Sequence, residues 1–241
     1  ARDVALNPTA LEAKAAGYKV DRWTIQRGLR ALRRLYAEYP RAIPELKVYS
    51  TYVILLAAAQ GVGADNYAEG GKGWSQTAAL DELWSARSRM TAYGQSLLLL
   101  ALDLVKDARG NDLASELTAA AQRKGDLAWW TTDRDPLLED FADTSVEATA
   151  FAVRALARRD PKNPLLEPAV RWLLLNRTYC VYWASTKQTA MVLYGLLDFM
   201  KARGETAADG EVDVLVNGTS IGTRRFTAAS ITSPDPIEMT A

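Results

Sequence analysis

A single cysteine, Cys180, and a complete lack of histidine limit what this 241-residue chain can do chemically. Ser-His-Asp and Cys-His arrangements need an imidazole base, and the usual structural zinc sites draw on histidine or several cysteines, so these are excluded. Cys180 precedes Val181-Tyr182-Trp183 and reads as a buried, inert thiol, since reactivity requires a depressed pKa. One cysteine forms no intrachain disulfide and leaves the redox compartment open. The other candidate is acidic: Asp133, Asp135, Glu139, Asp140 and Asp143. A carboxylic acid aimed into a deep apolar cavity can protonate an olefin, but that chemistry draws on consecutive acidic positions. Here Arg134 and Pro136 split the run. It reads as a loop ahead of a helix, where acidic groups are favoured by the helix dipole. No catalytic, cofactor-binding or metal-binding residue is therefore assigned, and no cofactor.

Arg22, Arg27, Arg30, Arg33 and Arg34 give one stretch a basic face, read as solvated, with a neighbouring domain's carboxylates as the alternative. Across the whole chain, Lys plus Arg and Asp plus Glu stand at 29 each, so the net charge is zero. That removes the long-range attraction of a nucleic-acid or anionic-membrane binder. The longest apolar run, Tyr52 to Ala59, is far short of the roughly 20 residues a membrane-spanning helix needs. The partners expected therefore exclude nucleic acid and membrane insertion.

The elements that position these groups are helices. Asp21 is placed to cap a helix over 21–38 with an apolar stripe at Ile25, Leu29, Leu32 and Tyr36, ended by Pro40 and Pro44. A second helix runs over 45–60 to Gly61. Residues 85–106 hold one long helix and the end of another, with Thr91 as a cap between them. Asn111 or Asp112 starts a helix that Gly125 stops, and Asp143 or Ser145 starts one through Arg158. Pro164 opens another, with Val170 and Leu173 inside. Ser185-Thr186-Lys187-Gln188 has capping-box form, and Gly204 supplies the stop.

Four helices share a pattern. Thr51–Ala58, Gln95–Leu102, Thr149–Leu156 and Thr189–Leu196 each begin with a polar residue and continue apolar. Each has a small residue (Ala57, Ala101, Ala155, Gly195) six places on. The intervals are 44, 54 and 40 residues, room for two helices and their loops. Apolar girth demands burial on all sides, so helices 45–60, 91–106, 145–158 and 187–202 are expected to line an inner ring. Amphipathic helices such as 21–38 and 112–124 form an outer one. The expected fold is mainly α: a partial α/α toroid of about four helical hairpins, with an ordinary bundle as the alternative. Trp74, Trp129, Trp130 and Trp183, each ahead of a buried helix, read as plugs for the toroid's ends.

After Gly204 the composition changes. Glu211–Val216, Asn217-Gly218 and Ser220–Thr227 form a hairpin pattern, with Val212, Val214 and Val216 on one face. Two strands alone bury no face, so this hairpin is expected to belong to a larger β-domain. The boundaries drawn are 1–204 for the toroid and 205–241 for the start of a β-sandwich. The opening Ala1-Arg2-Asp3 carries neither initiator methionine nor signal peptide, and the chain reads as a piece of a longer polypeptide.

Three runs carry a resemblance. Asp143-Thr-Ser-Val-Glu-Ala-Thr-Ala-Phe-Ala-Val-Arg-Ala-Leu156, Arg171-Trp-Leu-Leu-Leu-Asn-Arg177 and Tyr182-Trp-Ala-Ser-Thr-Lys-Gln-Thr-Ala190 resemble the thioester-containing domain of α2-macroglobulin and complement-type proteins. Gly17–Ile25 is similar to a loop-to-helix approach in bacterial members. The resemblance implies a toroid followed by a CUB-like β-sandwich, within a protein that traps proteinases outside the cytoplasm, in the periplasm or secreted. Partners implied are proteinases, met through the parent protein, and other macroglobulin-type domains of the same polypeptide. The family's thioester joins Cys and Gln of a Cys-Gly-Glu-Gln motif; this chain has no such motif, and Cys180 does not qualify. A full toroid there has about six hairpins, which places the first ones, with any thioester, ahead of Ala1. Three function classes follow: a non-enzymatic trapping-inhibitor module, an interaction scaffold without trapping, and a toroid enzyme acting on isoprenoids. The last is disfavoured by the split acidic run and, for zinc-dependent prenyl transfer, by the missing histidine.

Overall fold

The computed structural model describes residues 8–38, 43–62, 74–132, 137, 144–178, 182–204 and 209–227. The chain divides into two compact units, Ala1–Phe199 and Met200–Ala241. In the first, helices alternate between inner and outer positions. The order is α1 (Pro8–Ala15), α2 (Arg22–Glu38), α3 (Pro44–Ala59), α4 (Gln76–Ala86), α5 (Ala92–Leu104), α6 (Gly110–Ala119), α7 (Ser145–Arg159), α8 (Leu166–Leu175) and α9 (Thr186–Arg203). A short hairpin, β1 (Gln122–Lys124) with β2 (Leu127–Trp129), lies between α6 and α7. α3 packs on α5 and α5 on α7, while α2 packs on α3, α4 on α3 and α5, α6 on α5 and α7, and α8 on α7. This is the expected mainly helical, partial toroid with a short β segment.

The signals that start helices act as expected at most sites. Asp21 Oδ2 accepts from Thr24 N at 3.0 Å, and Ile25, Leu29 and Leu32 bury the stripe of α2, with Tyr36 half-buried. Thr91 Oγ1 accepts from Gly94 N at 3.1 Å to begin α5. Ser185 Oγ accepts from Gln188 N as the cap of α9, and Gln188 Oε1 accepts from Ala184 N at 2.9 Å, one residue ahead of the cap N–H that a capping box would use. Several expectations need correction. Pro44 does not end α2; it opens α3, where a missing N–H costs nothing. Residues 85–106 do hold the end of one helix and the whole of another: α4, which starts at a Ser75 cap, ends at Ala86, a 3-10 turn occupies Arg87–Arg89, and α5 follows the Thr91 cap. Val170 is only half-buried; Leu166, Ala169 and Leu173 form the core face of α8.

The helix expected over 112–124 stops at Ala119, and Gly125 (φ +60°) turns the β1–β2 hairpin instead. Local propensity would have carried the helix on; pairing with β2 and docking of Trp130 end it.

Burial separates the inner helices. α3, α5 and α7 are enclosed over nearly all their girth. At one of the aligned small positions backbones meet: a Cβ on Gly195 of α9 would lie 2.6 Å from the carbonyl oxygen of Ala150 on α7. α9 departs from the expectation of all-round burial. Met191, Val192 and Phe199 are covered, but Leu193 and Leu197 are each 50% exposed.

α1 is an inner helix that the four-fold alignment missed. Residues 8–15 align with 52–59 at the same 44-residue interval, and Leu11 is fully buried against the first unit's core. Its end repeats a motif. Tyr18 N returns to Ala13 O, Val62 N to Ala57 O and Asp107 N to Leu102 O, with Gly17, Gly61 and Lys106 in the left-handed region.

The second unit contains β3 (Gly210–Val216) and β4 (Thr219–Phe226), antiparallel, turning at Asn217 (φ +51°) and Gly218 (φ +82°). Pairing passes from Val214–Gly222 to Leu215–Ser220, so Ile221 is an extra residue that bulges β4. Val214 is half-buried, whereas Leu215, Val216 and Ile221 are exposed.

Candidate functional site

The chemistry-bearing groups of the first unit gather where charged side chains interrupt otherwise apolar inner helices. Arg154 on α7 is 2% exposed. Its Nε donates to Asp198 Oδ2 on α9 at 2.9 Å, and its Nη2 pairs with Glu12 on α1. Arg158, one helical turn on, reaches the same carboxylate through Nε and Nη2 at 2.9 and 3.0 Å. The Arg154 guanidinium also lies 5.0 Å from the ring centroid of Tyr194 and 5.6 Å from that of Phe151. Beside it, Tyr52 of α3 is fully buried, and its hydroxyl has no hydrogen-bond partner among the described residues.

Burial works against the Arg154 charge, but the carboxylates of Glu12 and Asp198 outweigh that and raise its pKa above the ordinary arginine value. Burial pushes the Tyr52 hydroxyl upward, so it stays a neutral phenol. The cluster therefore holds a permanent cation between carboxylates and offers no nucleophile and no base near neutrality. Its action is to tie α1, α7 and α9 together; loss of one partner from such a buried pair typically costs about 3–5 kcal/mol. Further along the same interface the fully buried Glu147 of α7 accepts from Gln188 Nε2 of α9 at 2.9 Å.

A second construction appears twice and links outer to inner helices. The Trp130 indole donates to Leu117 O in the last turn of α6 at 2.7 Å, while its backbone N–H donates to Thr149 Oγ1 on α7 at 3.0 Å. The Trp183 indole donates to Leu173 O in the last turn of α8 at 3.0 Å, and its N–H reaches Thr189 Oγ1 on α9 at 3.3 Å. Last-turn carbonyls lack the regular intrahelical partner; the Trp130 indole satisfies that of Leu117, and the Trp183 indole adds a second bond to Leu173 O, which also accepts from Asn176 N at 3.2 Å. Thr149 and Thr189 are equivalent positions of the repeat. Gln95, the third equivalent, donates through Nε2 to Arg87 O just beyond α4. These tryptophans are clasps between helices. Trp129 instead stacks on Trp172 at 5.9 Å, and Trp74 precedes the outer helix α4, not a buried one.

The remaining sequence candidates separate as follows. Asp133, Asp135, Glu139, Asp140, Asp143 and Cys180 lie outside the described residues. On α2, Arg22, Arg27, Arg30 and Arg34 are exposed and Arg33 is half-buried. Arg30 packs 5.3 Å from the Trp23 ring centroid and Arg34 pairs with Glu38 at 3.8 Å, as on a solvated face. Sequence reasoning missed Glu12, Arg154 and Asp198. The available signal was a charge set among apolar residues, as in Val153-Arg154-Ala155 and Leu197-Asp198-Phe199, which has to find a partner when buried. Among the described residues no group of three or more Cys, Asp or Glu is placed to hold a metal ion. No helix among them is long and apolar enough to cross a membrane.

Comparison with known proteins agrees with the alternation of helices. The family profile of the A-macroglobulin TED domain matches residues 52–199, from α3 to the end of the first unit. No curated protein matches the chain. The matched segment holds three successive inner helices, both tryptophan clasps and the Arg154–Asp198 tie. By this match over more than half its length, the chain belongs to the A-macroglobulin TED domain family, the thioester-domain region of α2-macroglobulin-like proteins.

Proposed function

We propose that this chain is a non-catalytic module of an α2-macroglobulin-like inhibitor that traps proteinases outside the cytoplasm. In this reading residues 1–204 are toroid, completed by hairpins from the same polypeptide, and 205–241 begin the β-sandwich that follows. Proteinases are met by the parent protein, and the module's own partners are neighbouring macroglobulin-type domains. The observation that carries the reading is the unfinished flank of α9. Leu193 is half exposed, whereas its repeat equivalents Leu55, Leu99 and Val153 are 3% exposed or less. In each earlier repeat that position is covered by packed neighbours, so α9 is shaped to receive another helix of the same kind. The absence of a Cys-Gly-Glu-Gln run supports an inert module, since the chain has no thioester pair to offer.

Two experiments test this. Incubated with methylamine or with a proteinase, the chain forms no covalent adduct; a methylamine-sized mass gain on one of its glutamines would overturn the inert-module reading. Joined to its flanking domains, the module is then challenged with a proteinase, and cleavage of a small peptide and of a large protein is followed. Trapping leaves the first and suppresses the second, because only small substrates reach an enclosed enzyme. Undiminished cleavage of both would make the module an interaction scaffold without trapping.

A further inference from the structure

We propose that the Arg154 cluster is a carboxylate-binding site, and that Glu12 occupies it as a docked, exchangeable ligand that holds α1 in the ring. The site is built without α1. Arg154 is oriented by Asp198, and Asp198 is in turn gripped by both oxygens from Arg158. A guanidinium fixed in this way presents its free edge in the geometry that suits a carboxylate. The charge count gives the same result. Asp198 balances one of the two arginines, and Glu12 balances the other, so withdrawal of α1 leaves the pocket one positive charge in excess.

Tyr52 supplies an independent observation. It is wholly buried beside the cluster, and its hydroxyl meets no described hydrogen-bond partner. Buried hydroxyls are normally paired, and this one lies within electrostatic reach of Arg154 and Glu12. Burial holds it protonated, and thus a donor.

α1 has the character of a ligand more than of a wall. It is eight residues long, has Leu11 fully buried, and packs on α3. An isolated helix of this length has little stability of its own. Leu11 and Glu12 therefore carry its docking, one through apolar contact and one through charge.

The test is chemical rescue in the full chain. Glu12→Ala removes the carboxylate and leaves space for a small one. Its urea midpoint should fall, and should rise again in sodium formate relative to sodium chloride at equal ionic strength. Wild type and Leu11→Ala, which keep the carboxylate, should respond alike to the two salts. A formate response of Glu12→Ala no larger than its chloride response would overturn the proposal. Should Glu12→Ala not fold, Glu12→Gln keeps the size and drops the charge, with amide hydrogen exchange as the readout. Exchange in α1 should then quicken about tenfold or more while α5 stays protected. Unchanged α1 protection, or equal loss in α1 and α5, would overturn it.

Discussion

Gly195→Ala sets two physical effects against each other, and the structure decides between them. In an ordinary helix interior this substitution stabilises by about 1 kcal/mol, because glycine has the greater backbone entropy to lose. At Gly195 the added Cβ would stand 2.6 Å from the Ala150 carbonyl oxygen. Normal carbon–oxygen contact begins above about 3.2 Å, so α9 must retreat from α7 by roughly half an ångström or more. Overpacking of this kind costs about 1–3 kcal/mol. The upper part of that range applies, because the obstructing atom is backbone and cannot rotate away. Retreat would also stretch the Arg154–Asp198 and Glu147–Gln188 contacts across the same interface. The expected net change is about 2 kcal/mol of destabilisation. In urea denaturation the midpoint should fall by about 1 M at an unchanged slope, for a slope near 2 kcal/mol per M. Adding Ala150→Gly to Gly195→Ala should give no recovery, since it removes a side chain and leaves the carbonyl. A more stable Gly195→Ala, or rescue by Ala150→Gly, would refute the close-approach argument.

Other perturbations probe the remaining contacts. Thr149→Val keeps shape but leaves the Trp130 N–H unpaired in a buried setting, so about 1–3 kcal/mol should be lost in the same urea experiment. Tyr52→Phe removes a buried hydroxyl without a described partner and should be neutral or up to about 1 kcal/mol stabilising; a large loss would mean the hydroxyl is satisfied. Asp107 accepts from Arg109 N, Nε and Nη2, and the Arg109 side-chain bonds are the main cause that holds its pKa below the usual aspartate value. A depressed folded-state pKa gives stability that is full above the ordinary value of about 3.9 and is lost as pH falls through the lowered one. Midpoints measured from pH 6, where this carboxylate is ionised, downward should therefore begin to converge for wild type and Asp107→Asn below about pH 4 and meet once the pH has passed the lowered value; a constant gap would show that the carboxylate's charge is not what matters.

Much of the first unit was legible in the residues because its signals are local. Asp21, Thr91 and Ser185 cap helices through hydrogen bonds within three residues, and apolar girth repeated at intervals of 44, 54 and 40 residues requires burial wherever the helices end up. Asn217-Gly218 likewise fixes a hairpin turn by its own backbone preference. Other features depended on partners far away in sequence. Ala119 ends α6 because Trp130 docks on Leu117 and β2 pairs with β1, whereas the polyalanine stretch itself favours continuing. α1 escaped notice because its eight residues are weakly patterned; Leu11 and Glu12 become informative only once the ring brings α7 and α9 alongside. The same holds for the charge of Arg154. In sequence it is one of three arginines in the helix of residues 145–159. Only tertiary packing, by removing water and supplying Glu12 and Asp198, turns it into the tie at the centre of the module.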